Sequence, residues 1–350
     1  MGGTFLSMMV VAVALAMLLG EGGGAAAHEP PVVRTPHHHF AHLSQLGYPW
    51  EPHYLLQRIH GLPLPLRVHY IDEGPRDAPE TLLLLHGTPS WSFLYRKVVP
   101  GLLAAGYRVI APDHIGFGRS DKLTDPNAYS HEMHVATVLL LLKELDLKGV
   151  TLIAHDLGGP TGVSAMARDP SRFRRLVLLN TWLPQGDIFS SFFRASEHAP
   201  YLMFRALVQS LGRQQSVETV FRVASKAPRD AISHGYGAPF PSHLYQAGPA
   251  WWPLLIPLTK NDPMAREMQK AALFLLNWDG PALIAYSDGE LFTLPGKALL
   301  QRVLPQACEA QIPDAGHFLQ EDQGLLISRL IITFIQNSCS LGSRSLTPEL

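Results

Sequence analysis

The chain has 350 residues, 47% of them hydrophobic and 16% charged: enough apolar material for a large packed core, and too little charge for a disordered, solvating polymer. Lys plus Arg number 28 against 29 Asp plus Glu, giving a net charge of −1 without a basic stripe, so no nucleic-acid partner is expected. Two cysteines, Cys308 and Cys339, are too few for a disulfide scaffold, and their spacing fits neither a zinc site nor a redox pair; they form one bridge or none.

Phe5 to Leu19 is an uncharged apolar run of 15 residues, followed by Glu21, a glycine-rich stretch and Ala25-Ala26-Ala27. This is the shape of a secretory signal peptide over residues 1–27, cleaved near Ala27, which predicts a secreted or secretory-lumen protein with no stable membrane span once cleaved. An uncleaved signal anchor is the alternative, because the basic n-region is missing, but the run is short of the roughly 20 residues a bilayer span needs. His37, His38, His39 and His42 read as a polar tail segment and not as a metal cluster, since no carboxylate or Cys at fixed spacing completes a ligand set. An N-terminal segment over 28–66 precedes the first regular pattern.

From Arg67 onward short apolar runs alternate with helical periodicity. Strands are predicted at Arg67 to Ile71, Thr81 to His86, Tyr107 to Ala111, Val150 to His155, Leu176 to Asn180, Pro281 to Ser287 and Cys308 to Ile312. Several are apolar on consecutive positions, as parallel strands covered on both faces should be. Helices are predicted at His131 to Leu145, Pro160 to Ala167 and Gly324 to Gln336. The alternation implies a doubly wound α/β fold whose functional loops lie at the carboxyl ends of the strands. It stops over 183–277, where helical patterns, Ala238-Pro239-Phe240-Pro241 and many aromatic residues suggest a helical cap inserted between strands. The core is thus divided into 67–182 and 278–337, with a tail over 338–350.

The chemistry concentrates at Thr151 to Gly159 (TLIAHDLGG), where a strand meets a sharp turn and a helix, with small Ala154 and Gly158 two places either side of Asp156. This is the nucleophile elbow, with a carboxylate where a hydroxyl is more usual; helix capping by Asp156 is the bland alternative. His86-Gly87-Thr88-Pro89 follows a strand, where the Thr88 N–H would serve an oxyanion hole completed by the N–H of Leu157. Asp288 ends a predicted strand, and His317 in Asp314-Ala315-Gly316-His317-Phe318 follows the last one. Nucleophile, acid, histidine is the chain order of an α/β-hydrolase. An aspartate nucleophile can displace a leaving group from saturated carbon and form an alkyl ester, which His317, oriented by Asp288, would hydrolyse by activating water. No cofactor or metal is needed, and the expected partners are water and a small organic substrate, bound by a monomer.

At these residues, over Arg34 to Phe334, the chain resembles the haloalkane dehalogenases of the α/β-hydrolase superfamily, in the subfamily whose catalytic acid follows the strand after the cap. The resemblance is carried by Arg34-Thr35-Pro36, HGTPSWSFLYRKVVP from His86, APDHIGFGRSDK from Ala111, DPSRFRRL from Asp169, APFP with Tyr245-Gln246-Ala247-Gly248, and DAGHF from Asp314. It implies Asp156 as nucleophile, Asp288 as acid, with Glu290 as fallback, and His317 as base. The family usually holds the departing halide with a Trp directly after the nucleophile and a second Trp from the cap. Here those places carry Leu157 and, by approximate register, Phe204, neither of which can donate a hydrogen bond. Thr88, Trp182, Trp251 or Trp252 could donate from another direction. The competing reading is an epoxide hydrolase, with Tyr201, Tyr236 and Tyr245 as cap tyrosines able to protonate an opening epoxide; a third is a non-catalytic binding protein on the same fold.

Overall fold

The computed structural model describes residues 31–62 and 64–337, so the predicted signal peptide and the C-terminal tail with Cys339 lie outside the described residues. Eight strands form one sheet: β1 His53–Gln57, β2 Leu66–Glu73, β3 Thr81–Leu85, β4 Arg108–Pro112, β5 Val150–His155, β6 Phe173–Leu179, β7 Ala282–Ser287 and β8 Cys308–Ile312. Their spatial order is β1-β2-β4-β3-β5-β6-β7-β8, antiparallel only at β1–β2 and β2–β4. The order reverses at β3 and β4, so the loops after β3 and β5 flank one crevice at the carboxyl edge.

Central strands are apolar because both faces are covered. Leu82 to Leu85 and Leu176 to Leu179 are buried. Val99–Ala104 (α1) packs with Gly324–Asn337, while His131–Glu144 (α2), Gly158–Arg168 (α3) and Pro263–Leu276 pack together. Ser130 starts α2 by accepting the Met133 N–H at 3.1 Å.

The predicted strands and helices are all present, with ends shifted by up to three residues. Three strands went unpredicted: Val32–Val33 and Lys122–Leu123, which pair as a small antiparallel sheet of their own, and β1, inside the segment expected to precede the pattern. The last is an edge strand whose alternate residues face solvent, Leu56 being 71% exposed, so HYLLQ carries no continuous apolar run. Between β6 and β7 the chain forms helices that include Ala199–Leu211 (α4) and Val217–Ala224 (α5), and these lie over the carboxyl edge. Cys308, at the start of β8, is disulfide-bonded. Among the described residues no helix is long and apolar enough to cross a membrane.

Candidate active site

Asp156 sits between β5 and α3 with φ of +51°, a left-handed conformation that non-glycine residues seldom adopt. The turn is held from below. The Asp156 carbonyl accepts the Thr181 hydroxyl at 2.6 Å and the Gly159 N–H at 2.9 Å, while its N–H donates to the Asn180 carbonyl. Small neighbours are compulsory. A Cβ on Gly158 would lie 2.5 Å from the Leu85 carbonyl oxygen, and one on Gly87 would lie 2.1 Å from the Asp156 carboxylate itself.

That carboxylate is buried, with Oδ1 accepting the Thr88 N–H at 2.9 Å and the Leu157 N–H also directed at it. The two expected oxyanion donors therefore converge. His317 Nε2 stands 3.6 Å from Asp156 Oδ2. The His317 carbonyl is pinned by His155 Nε2 at 2.9 Å and Asn180 Nδ2 at 3.0 Å. Neither residue was singled out from the sequence, although polar side chains at the ends of otherwise apolar strands are the trace they leave there.

The acid is not Asp288. That residue is exposed, and its two oxygens accept the Asp314 and Ala315 N–H groups at 3.0 and 3.1 Å, fastening the loop that carries His317. The chain turns after Ser287 and carries Glu290 inward. Glu290 Oε2 meets His317 Nδ1 at 2.8 Å, while Oε1 accepts the Phe292 and Thr293 N–H groups at 2.7 Å each. The fallback acid is the one the fold brings to the histidine.

Burial opposes charge at all three groups, and pairing overcomes it. Desolvation would lower His317, but the Glu290 charge and the hydrogen bonds to Asp156 and Glu290 raise it to about 10. Desolvation would raise Asp156 and Glu290; the same imidazolium, helped by backbone N–H donors, holds both below the ordinary carboxylate range. The resting site is a cation between two carboxylates.

Above Asp156 lies a narrow cavity of about 30 Å³ lined by Thr88, Trp182, Tyr201, Phe204, Val220, Ala224, Pro253, Ile256, Phe292, His317 and Phe318. Of the proposed cap groups, Tyr201 and Phe204 reach it. Tyr236 and Tyr245 do not: Tyr236 is stacked on Phe221 and donates its hydroxyl to Glu321 at 2.7 Å, and half-buried Tyr245 packs against the core away from the cavity. Trp252 stacks on His134 and Trp251 packs in a separate apolar cluster, so of the tryptophans considered as leaving-group donors only Trp182 faces the site. The Leu157 side chain is buried outside the lining; only its N–H serves the site. Among the described residues no group of three or more His, Cys, Asp or Glu is arranged to hold a metal ion.

An oxyanion cradle around a carboxylate, with a histidine and an acid on following loops, defines an α/β-hydrolase, and the family model for the α/β-hydrolase fold matches residues 80–216. The chain is 39% identical to a haloalkane dehalogenase of Psychrobacter cryohalolentis over 313 residues, covering 87% of this chain and 98% of that one. It is also 39% identical to one of Mycolicibacterium paratuberculosis over 308 residues, with the same coverage. A solved haloalkane dehalogenase of Paraglaciecola agarilytica, described as tetrameric, superposes with a TM-score of 0.76 at 31% identity, covering 85% of this chain and 96% of that one. The chain belongs to the haloalkane dehalogenases, a family of hydrolases.

Proposed function

We propose that the chain hydrolyses carbon–halogen bonds in small organic molecules through a covalent ester on Asp156. The observation that carries this reading is the buried Asp156 carboxylate, cradled by two backbone N–H groups, with His317 Nε2 3.6 Å away on the floor of an apolar cavity. Asp156 attacks the carbon in line, a C–O bond forms and halide leaves with the bonding pair. Esterification removes the Asp156 charge and with it much of what kept His317 protonated. His317 releases that proton to solvent with the halide, and the neutral imidazole then takes one from water as hydroxide adds to the aspartyl carbonyl. The Thr88 and Leu157 N–H groups hold the resulting oxyanion until the imidazolium protonates the departing alkoxide oxygen; the imidazole then takes the proton of the Asp156 carboxyl, restoring carboxylate and imidazolium. Glu290 stabilises the imidazolium formed in that step and fixes its tautomer.

Halide needs donors, because a buried anion without partners is costly. Leu157 and Phe204 supply none. Beside the Tyr201 hydroxyl, which is engaged by the Pro253 carbonyl, the lining offers the Trp182 indole and the Thr88 hydroxyl, whose Oγ1 is buried with no hydrogen-bond partner among the described residues. The epoxide reading has less support, since of its three tyrosines only Tyr201 lines the cavity, and that hydroxyl donates to the Pro253 carbonyl at 3.2 Å. A purely binding role would not require the assembled line of Asp156, His317 and Glu290.

The test is halide release from 1-haloalkanes beside diol formation from epoxides. Asp156→Asn is expected to lose at least about 10⁴-fold in turnover, and His317→Gln to accumulate the ester as a mass increase on the Asp156 peptide. Undiminished turnover in Asp156→Asn would falsify the covalent route. Export is proposed as well, supported by the apolar run Phe5 to Leu19 and the disulfide at Cys308, a bond that oxidising compartments favour. Amino-terminal sequencing of the processed chain checks it. Light scattering decides between the expected monomer and an assembly like that of the tetrameric relative.

A further inference from the structure

A second cavity of about 640 Å³ opens to solvent beside the first, between the start of α2 and the segment that leads from the cap to Pro263–Leu276. Its inner wall is apolar, formed by Leu254, Leu255, Pro257, Leu258 and Met264. Its rim carboxylates are already engaged: Glu132 and Glu267 by Arg168, and Asp262 by the Leu258 and Thr259 N–H groups. Ile256 is the residue that lines both cavities.

The partition around Ile256 is otherwise stitched in place. Arg205 Nη1 donates to the Tyr201 hydroxyl at 3.0 Å, to the Leu254 carbonyl at 2.9 Å and to the Ile256 carbonyl at 3.3 Å. Backbone and tyrosine are therefore tied, whereas the Ile256 side chain is held only by packing. The inner cavity, at about 30 Å³ against about 640 Å³ for the outer one, is much the smaller of the two. A long alkyl chain anchored at Asp156 meets the larger volume only beyond Ile256.

We infer that longer substrates place their alkyl tail in the outer cavity, with the Ile256 side chain as the gate between that chamber and Asp156. This rests on the dehalogenase reading for its chemistry but not for its geometry. Ile256 is a specificity-determining residue here; it touches no reacting atom. Each methylene accepted by the apolar wall should favour binding by up to about fourfold, the transfer preference of one buried CH₂.

The experiment compares the parent protein with Ile256→Ala and Ile256→Phe on 1-bromoalkanes from ethyl to decyl, reading bromide release as kcat/KM, and measures 1-octanol and ethanol binding calorimetrically to each. Ile256→Ala should raise the octyl-to-ethyl ratio by about tenfold or more and tighten octanol binding, and Ile256→Phe should shift both the opposite way. A chain-length profile and an octanol affinity that are the same in all three proteins would overturn the gate. If no bromide is released from any chain length, yet octanol affinity still follows the size of residue 256, the chamber stands and the dehalogenase reading falls.

Discussion

Asp156 remains a carboxylate although buried, because the opposing cation is also buried and cannot trade its partner for water. His317 at about 10 is therefore protonated in the free enzyme at neutral pH and becomes a base only after Asp156 is esterified. The pH profiles should separate accordingly. kcat/KM, which reports the free enzyme, is expected to stay flat from mildly acidic pH to above 9; kcat, where ester hydrolysis limits it, should fall toward acid as His317 of the ester takes up a proton, at a midpoint well below 10. Steady-state rates across pH with a rapid-alkylating bromide check both. The acid can be tested in the same assay: Glu290→Gln should cost about 10³–10⁴-fold in kcat, by analogy with the loss of a histidine-orienting carboxylate, while Asp288→Asn should leave kcat within a few-fold and weaken the His317 loop. Sequence order made nucleophile and histidine legible. It could not decide between two carboxylates two residues apart, since the choice depends on where the chain turns after Ser287.

The elbow converts a local requirement for small residues into reactivity. With Asp156 at φ of +51° and Gly87 in contact with its carboxylate, a single methyl at residue 87 has nowhere to go but into the nucleophile. Gly87→Ala should fold and lose about 10²-fold or more in kcat, the scale set by displacing a reacting group by about an ångström. Intact-mass detection of alkylated enzyme distinguishes slow alkylation from slow hydrolysis. At this scale the parallel strands were legible because full burial leaves continuous apolar runs, and α2 because His131 to Leu145 carries a helical pattern. The edge strand β1 was not, since half its side chains face water. The cap's helical character was visible, yet which aromatics face Asp156 was not: Tyr201 and Tyr236 look alike in sequence, and tertiary packing alone turns one into the cavity and the other onto Phe221.

The molecule as a whole carries an unusual load of neutral buried histidine. His69, His86, His114, His134 and His155 have no exposed surface, and desolvation lowers each of them, as it does His131; His131 and His155 fall to about 4. Unfolded, they would take up protons near 6.5. Their contribution to folding stability should be complete above that pH and decline as pH falls from 6.5 toward 4, because only the unfolded chain gains protons there. His317 has the opposite sign: its contribution is present below 6.5 and is lost as pH rises through about 10. Urea midpoints between pH 4 and 11 should trace a plateau with losses on both sides, and His155→Gln should flatten the acid side if its carbonyl-holding bond survives.

The cap leaves the sheet after β6 and the chain rejoins at β7, and these two strands hydrogen-bond directly to one another. The scaffold beneath is consequently closed whatever spans that gap. Exchange of the excursion between homologues would leave the nucleophile and its cradle, both encoded upstream, untouched, so selectivity could diversify by wholesale replacement of one contiguous stretch while the hydrolytic machinery is inherited intact.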